Sequence, residues 1–168
     1  MQWVKLNTKT IKTLKTKELA AMAKKAGNPQ VKNFIKELDT ILWFKNVGKS
    51  IHSQEVKQLF SWNDAWEHLQ NENWINASFH KHVDSMNLVW DIAYDQAFQA
   101  ASKSIDCHKL EEGISVADAV AYDAAAAAVE IVTQSTDTFF IKLMEWYRLG
   151  HFPCGWEGEY PEGKLIIY

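Results

Sequence analysis

Six polar residues, Asn76, His80, Asp84, Asn87, Asp91 and Asp95, follow one another at intervals of 4, 4, 3, 4 and 4. At about 100° per residue that spacing places all six on one face of a helix. Phe79, Val83, Met86, Trp90, Ala93 and Ala97 form the adjoining apolar face, so the polar stripe borders the core instead of lying opposite it. A second set, Asp123, Glu130 and Asp137, is spaced by seven and also shares a face. It runs through a segment that is apolar almost all round. Ala124 to Ala128 is unbroken alanine, flanked by Val120, Val129, Ile131 and Val132, and Asp118 precedes the run. A helix of that kind belongs in the middle of a bundle. Burying carboxylates there is costly unless they are paired or bind a cation.

If the two segments form antiparallel helices, His80, Asp84 and Asp91 meet Asp123 and Glu130 inside the bundle. Such a cluster suits a divalent metal: carboxylates favour Mg or Mn, and histidine adds Fe or Zn. A bound metal would activate water for hydrolysis. Helical bundles build carboxylate–histidine metal sites in this way. Yet the Glu-x-x-His motif of di-iron bundles is absent, as are a Gly-rich phosphate loop and a His-Glu-x-x-His motif. The simpler reading has the acids facing water, capping neighbouring helices, pairing with lysines, or accepting hydrogen bonds from Trp and Tyr. Spacing alone is an unspecific signal, so the simpler reading is preferred and no catalytic residue is assigned.

Cys107-His108 and His151-x-x-Cys154 are the types that hold zinc. If residues 116–149 form one helix, however, its ends lie about 50 Å apart and separate the two pairs. That distance equally disfavours a Cys107–Cys154 disulfide. His52, His68 and His82 stand alone in the sequence and read as surface or packing residues.

The elements that must position these residues are mostly helical. Trp3 to Leu6 is short and alternating, a candidate strand. Lys17 to Ala26 reads as a helix capped by Thr16 and closed by Gly27. Asn28-Pro29 opens a helix expected to run to about Lys45. Ser53 caps a short helix through Phe60, and Ser61 caps another containing Trp62, Trp66 and Leu69. A long helix is expected from about Trp74 to Lys103, then a connector over 104–114. Ser115 caps a second long helix over 116–149 that stops at Gly150, with Thr133-Gln134-Ser135-Thr136 as the place where it kinks or breaks. The tail from His151 to Gly163 is rich in turn residues. It ends in the strand-like Lys164 to Tyr168, expected to pair with residues 2–6 and join the termini. The fold expected is therefore all-α: one domain over 1–168, a bundle of about five or six helices, with a minor two-stranded element.

Trp62-Asn63-Asp64-Ala65-Trp66, Trp90 to Asp95 and Ala119 to Asp123 repeat an aromatic, Asp and Ala cadence suited to close helix packing. In texture the chain resembles Ala- and aromatic-rich helical proteins of bacteria, immunity-like ones among them. The resemblance rests on no motif and carries no residue role.

Eight Trp, eight Phe and a hydrophobic content of 47% supply ample core for 168 residues. No apolar run reaches the roughly 18 residues of a membrane span, and the start lacks the apolar stretch of a secretion signal. Two cysteines make no disulfide framework. A soluble, cytoplasmic protein is the default expectation. Residues 1–57 carry twelve Lys against four acids, whereas residues 58–168 carry five Lys and one Arg against seventeen acids. A basic arm for nucleic acid is one consequence. The packing of the basic front on the acidic remainder is preferred, since Arg148 is the only arginine and arginine dominates phosphate and guanine contacts. The leading expectation is a non-enzymatic binding or regulatory protein with a protein partner. The alternative is a metal-dependent hydrolase using the carboxylate–histidine cluster, and nucleic-acid binding ranks third. No cofactor is expected apart from that divalent metal.

Overall fold

The computed structural model describes residues 29–70, 88–105 and 113–168. Helix α1 (Pro29–Glu37) begins with proline, as its fixed φ favours, and buries Val31, Phe34 and Ile35. It stops well short of Lys45 because side chains take the carbonyls that a longer helix would need. Thr40 Oγ1 donates to Glu37 O at 2.8 Å and Trp43 Nε1 to Leu38 O at 3.0 Å. Phe44 then adopts a left-handed φ of 54°. The apolar spacing beyond Leu38 serves a wrapped loop, in which Ile41, Trp43 and Phe44 are buried. Asn46 anchors that loop by donating its amide to Gly150 O and its side chain to Leu149 O, at 2.9 and 2.6 Å.

The helix expected from Ser53 is instead a bend leading into strand β1 (Val56–Gln58). Its backbone is claimed by a partner more than a hundred residues away, and a segment this short has little helical stability of its own to oppose that. The Gln58 side chain holds the preceding loop, accepting from Ile51 N at 2.9 Å and donating to Lys49 O at 2.7 Å. Helix α2 (Trp62–Gln70) starts where Ser61 predicts, with Asp64 N donating to Ser61 Oγ at 3.4 Å.

Helices α3 (Leu88–Ser104) and α4 (Gly113–Thr133) make the most extensive packing in the described residues. Residues 74–87 of the expected long helix lie outside the described residues, as do the expected elements at 3–6 and 16–27. α4 begins at Gly113, ahead of the expected cap at Ser115. Small side chains pack here: Ala93, Ala97 and Ala101 on α3, and Ala117, Ala121 and Ala124–Ala128 on α4, are all without solvent exposure, the alanine run being covered on every side of α4. α4 is thus the central rod, with α1, α3 and α5 laid against it.

The rod does not continue to Leu149. It breaks over 134–138 and returns as helix α5 (Phe139–Arg148). Gln134 takes a left-handed φ of 51°, Ser135 N bonds to Glu130 O at 3.0 Å and Gln134 N to Ile131 O at 3.3 Å. These are the two bonds of a Schellman end. Thr133 Oγ1 also bonds back to Val129 O at 2.8 Å. The end of α5 repeats the device at the predicted residue: Gly150 has φ 87°, His151 N reaches Trp146 O at 3.1 Å and Gly150 N reaches Tyr147 O at 2.9 Å.

The tail forms β2 (Pro153–Glu157) and β3 (Lys164–Ile167), paired antiparallel with an irregularity between Pro153 and Gly155. β3 lies in the middle of a three-stranded sheet of order β1-β3-β2, parallel to β1. Both of its hydrogen-bonding edges are therefore occupied, and the expected pairing with residues 2–6 is replaced by pairing with 56–58 and 153–157. The architecture is mostly helical with a small mixed sheet, not all-α. No described helix is long and apolar enough to cross a membrane.

Candidate functional site

The alanine-packed rod carries Asp123 and Glu130 into the interior, where they are 6% and 1% exposed. The break after α4 supplies the partner for each. Because α5 folds back along α4, Tyr147 reaches Asp123 and donates its hydroxyl to Oδ2 at 2.5 Å. Burial pushes the Asp123 carboxyl up to about 8, partly offset by the Tyr147 hydrogen bond. Burial and the neighbouring carboxyl hold the Tyr147 hydroxyl well above its usual range. The side chains therefore share a proton-bearing contact, not an ion pair.

Glu130 sits at the end of α4 and faces the start of α5. Its Oε1 accepts from Phe140 N at 3.2 Å and its Oε2 from Ile141 N at 2.9 Å. Asp137 Oδ1 accepts from Phe139 N at 3.2 Å, whereas Thr138, at the cap position, makes no side-chain capping bond. Two carboxylates thus satisfy the first three amides of α5, where the positive end of the helix dipole favours negative charge.

The remaining described site residues are dispersed. His80, Asp84, Cys107 and His108 lie outside the described residues. Asp91 is exposed on α3, and Asp95 accepts from Gln99 Nε2 at 2.7 Å. Asp118 accepts the hydroxyl of Tyr94 across the α3–α4 contact. His151 is buried, its Nδ1 has no hydrogen-bond partner among the described residues, and burial holds its pKa below the usual value. Cys154 is fully buried. Its thiol donates to Ile166 O at 3.6 Å and is pushed up to about 12 by burial, so it stays protonated. The α4–α5 break removes the length argument that separated the two Cys/His pairs. Among the described residues no group of three His, Cys, Asp or Glu side chains is arranged to hold a metal ion.

Sequence reasoning missed a cleft of about 600 Å³ that opens beside the start of α5. Phe139, Trp156 and Tyr160 form its aromatic wall, with ring centroids 5.3 to 5.7 Å apart and edges set against faces. Trp146 and Leu143 continue the wall along α5, and Val56 and Leu165 close it from the sheet. Tyr160 donates to Asp137 Oδ1 at 3.0 Å, and burial together with that carboxylate pushes its hydroxyl up to about 12. The charged groups lining the cleft are Glu55, Asp137 and Glu145 against Lys142. Four elements contribute: the approach to β1, the α4–α5 turn, α5 itself and the β2–β3 hairpin. One local signal was present, a Trp and a Tyr held in a turn-rich tail. Their convergence with Trp146 depends on how the hairpin packs on α5, which spacing along the chain does not encode.

No protein-family model matches the chain, and neither a curated protein nor a solved structure matches it, so the cleft and the buried carboxylates stand on their own geometry.

Proposed function

We propose that the protein is a non-enzymatic binding protein and that it engages a protein partner through the cleft walled by Phe139, Trp146, Trp156 and Tyr160. One observation supports this most: aromatic side chains on two separate elements, α5 and the β2–β3 hairpin, border an open cleft of about 600 Å³. Buried and half-buried aromatic groups are the side chains that most often dominate binding energy at interfaces. The buried carboxylates favour the same reading. Asp123 and Glu130, the described acids best placed for chemistry, accept hydrogen bonds from Tyr147 and from the amides of α5. Those bonds give them a structural task. A regulatory role would follow from what the partner does.

The test is affinity capture from the source cells with the native chain and with Trp146→Ala, whose side chain is only half-buried. The expected result is a stoichiometric protein recovered by the native chain and lost with the variant, while circular dichroism shows the variant still folded at the capture temperature. Recovery of the same proteins by both would overturn the assignment of the cleft.

A further inference from the structure

Resting on that reading, we infer that the cleft receives Lys or Arg side chains presented by a basic segment of the partner protein. The charge on its walls is the first reason. Glu55, Asp137 and Glu145 outnumber Lys142, so the lining is net negative at neutral pH. Glu130 adds its charge behind the wall, close enough to act on Tyr160. The wall chemistry is the second reason. Indole and phenol faces attract cations through their ring quadrupole, tryptophan most strongly. They also pack the apolar stems of Lys and Arg while the charged head stays near the carboxylates.

The spread of the acids points to a segment with more than one charge. Glu55 precedes β1, Asp137 sits in the α4–α5 turn and Glu145 lies two turns along α5. An acidic ligand would meet repulsion from three carboxylates, and a neutral one would draw nothing from the charge on the walls. Lys142 makes the inference sharper, because a cationic guest must be repelled by it.

Fluorescence anisotropy of a labelled decapeptide of alternating Lys and Ser tests this, with Gln/Ser and Glu/Ser peptides alongside. The Lys peptide should bind the native chain, more weakly as salt rises, and the other two should not. Glu55→Gln with Glu145→Gln should weaken it about fivefold, and Trp146→Ala about tenfold or more. Lys142→Ala should act in the opposite direction and tighten it about twofold, a gain that no loss of folding mimics. Equal binding of the Gln and Lys peptides, or Lys-peptide binding indifferent to all these substitutions, would overturn the inference. If no Lys peptide binds while captured partner still depends on Trp146, the inference fails and the binding reading survives. Loss of both removes the two together.

Discussion

Tyr147 donates its hydroxyl to Asp123 at 2.5 Å in a site where Tyr147 has no solvent exposure and Asp123 has almost none. Folding raises the Asp123 carboxyl from 3.8 to about 8. Between those values the native chain holds a proton that the unfolded chain releases. The contribution to stability is full below 3.8, declines as pH rises and is lost above about 8. The slope is at most about 1.4 kcal/mol per pH unit. Asp123→Asn keeps an oxygen for Tyr147 and cannot ionise. Calorimetry should find the variant close to the native chain below about pH 4 and increasingly more stable than it as pH rises to about 9. Parallel curves across that range would mean that the carboxyl titrates normally.

Glu130 offers a test of the cap that crosses from α4 to α5. Its carboxylate takes two amides of α5 inside the protein. Glu130→Ala leaves both unsatisfied, at about 1–3 kcal/mol each. Glu130→Gln keeps one accepting oxygen, so it should cost about 1–3 kcal/mol for the amide it abandons and about 0.3–1 kcal/mol for the charge lost beside the helix dipole. Urea unfolding of the two variants should rank Ala well below Gln. Equal losses would show that the space, not the hydrogen bonding, is what Glu130 supplies.

These two carboxylates mark where the sequence was readable. The unbroken alanine run made α4 a central rod and raised the burial of Asp123 and Glu130 as one reading, although the preferred one had such acids facing water, capping helices or accepting from Tyr; the structure buries both. Their partners were hidden. On one continuous rod Tyr147 would lie about 36 Å from Asp123, and only the reversal after Thr133 brings them together. Gly150 announced its helix end because glycine is the usual left-handed residue, whereas at Gln134 only the hydroxyl-rich Thr133–Thr136 stretch marked a break and nothing marked Gln134 as the left-handed residue. Ser61 gave the start of α2 by a local bond. β1 had no local signal, since its conformation depends on Leu165 to Ile167 far along the chain. The aromatic cleft shares that difficulty: each ring is visible in the sequence, and their meeting is a property of the hairpin on α5.

Gln134 itself carries a strain that can be relieved. Its φ of 51° brings Cβ toward the following carbonyl, at about 1–2 kcal/mol for an L-residue. Gln134 is exposed, so its side chain contributes little packing. Gln134→Gly removes the strain but adds freedom to the unfolded chain, at about 0.5–1 kcal/mol. The net expectation is a gain of about 0.5–1 kcal/mol, read as a higher denaturation midpoint with an unchanged slope. A loss of stability would indicate that the side chain holds the α4–α5 turn.

Gly163 ties the hairpin to the cleft. A Cβ there would stand 2.2 Å from Glu157 O and 2.2 Å from Trp156 Nε1, both far inside contact distance. The carbonyl belongs to the backbone of the facing strand and cannot yield alone, so Gly163→Ala must displace the turn or the indole. The expected loss is about 1–3 kcal/mol. Trp156 is part of the cleft wall, so its emission should shift as well. Gly158→Ala separates backbone strain from this steric effect. Gly158 has a φ of +89° but more room, its nearest neighbour being Gly163 Cα at 3.4 Å. It should cost about 1 kcal/mol and leave the Trp156 emission where it was. An emission shift with Gly158→Ala, or none with Gly163→Ala, would mean that the indole is not held against Gly163.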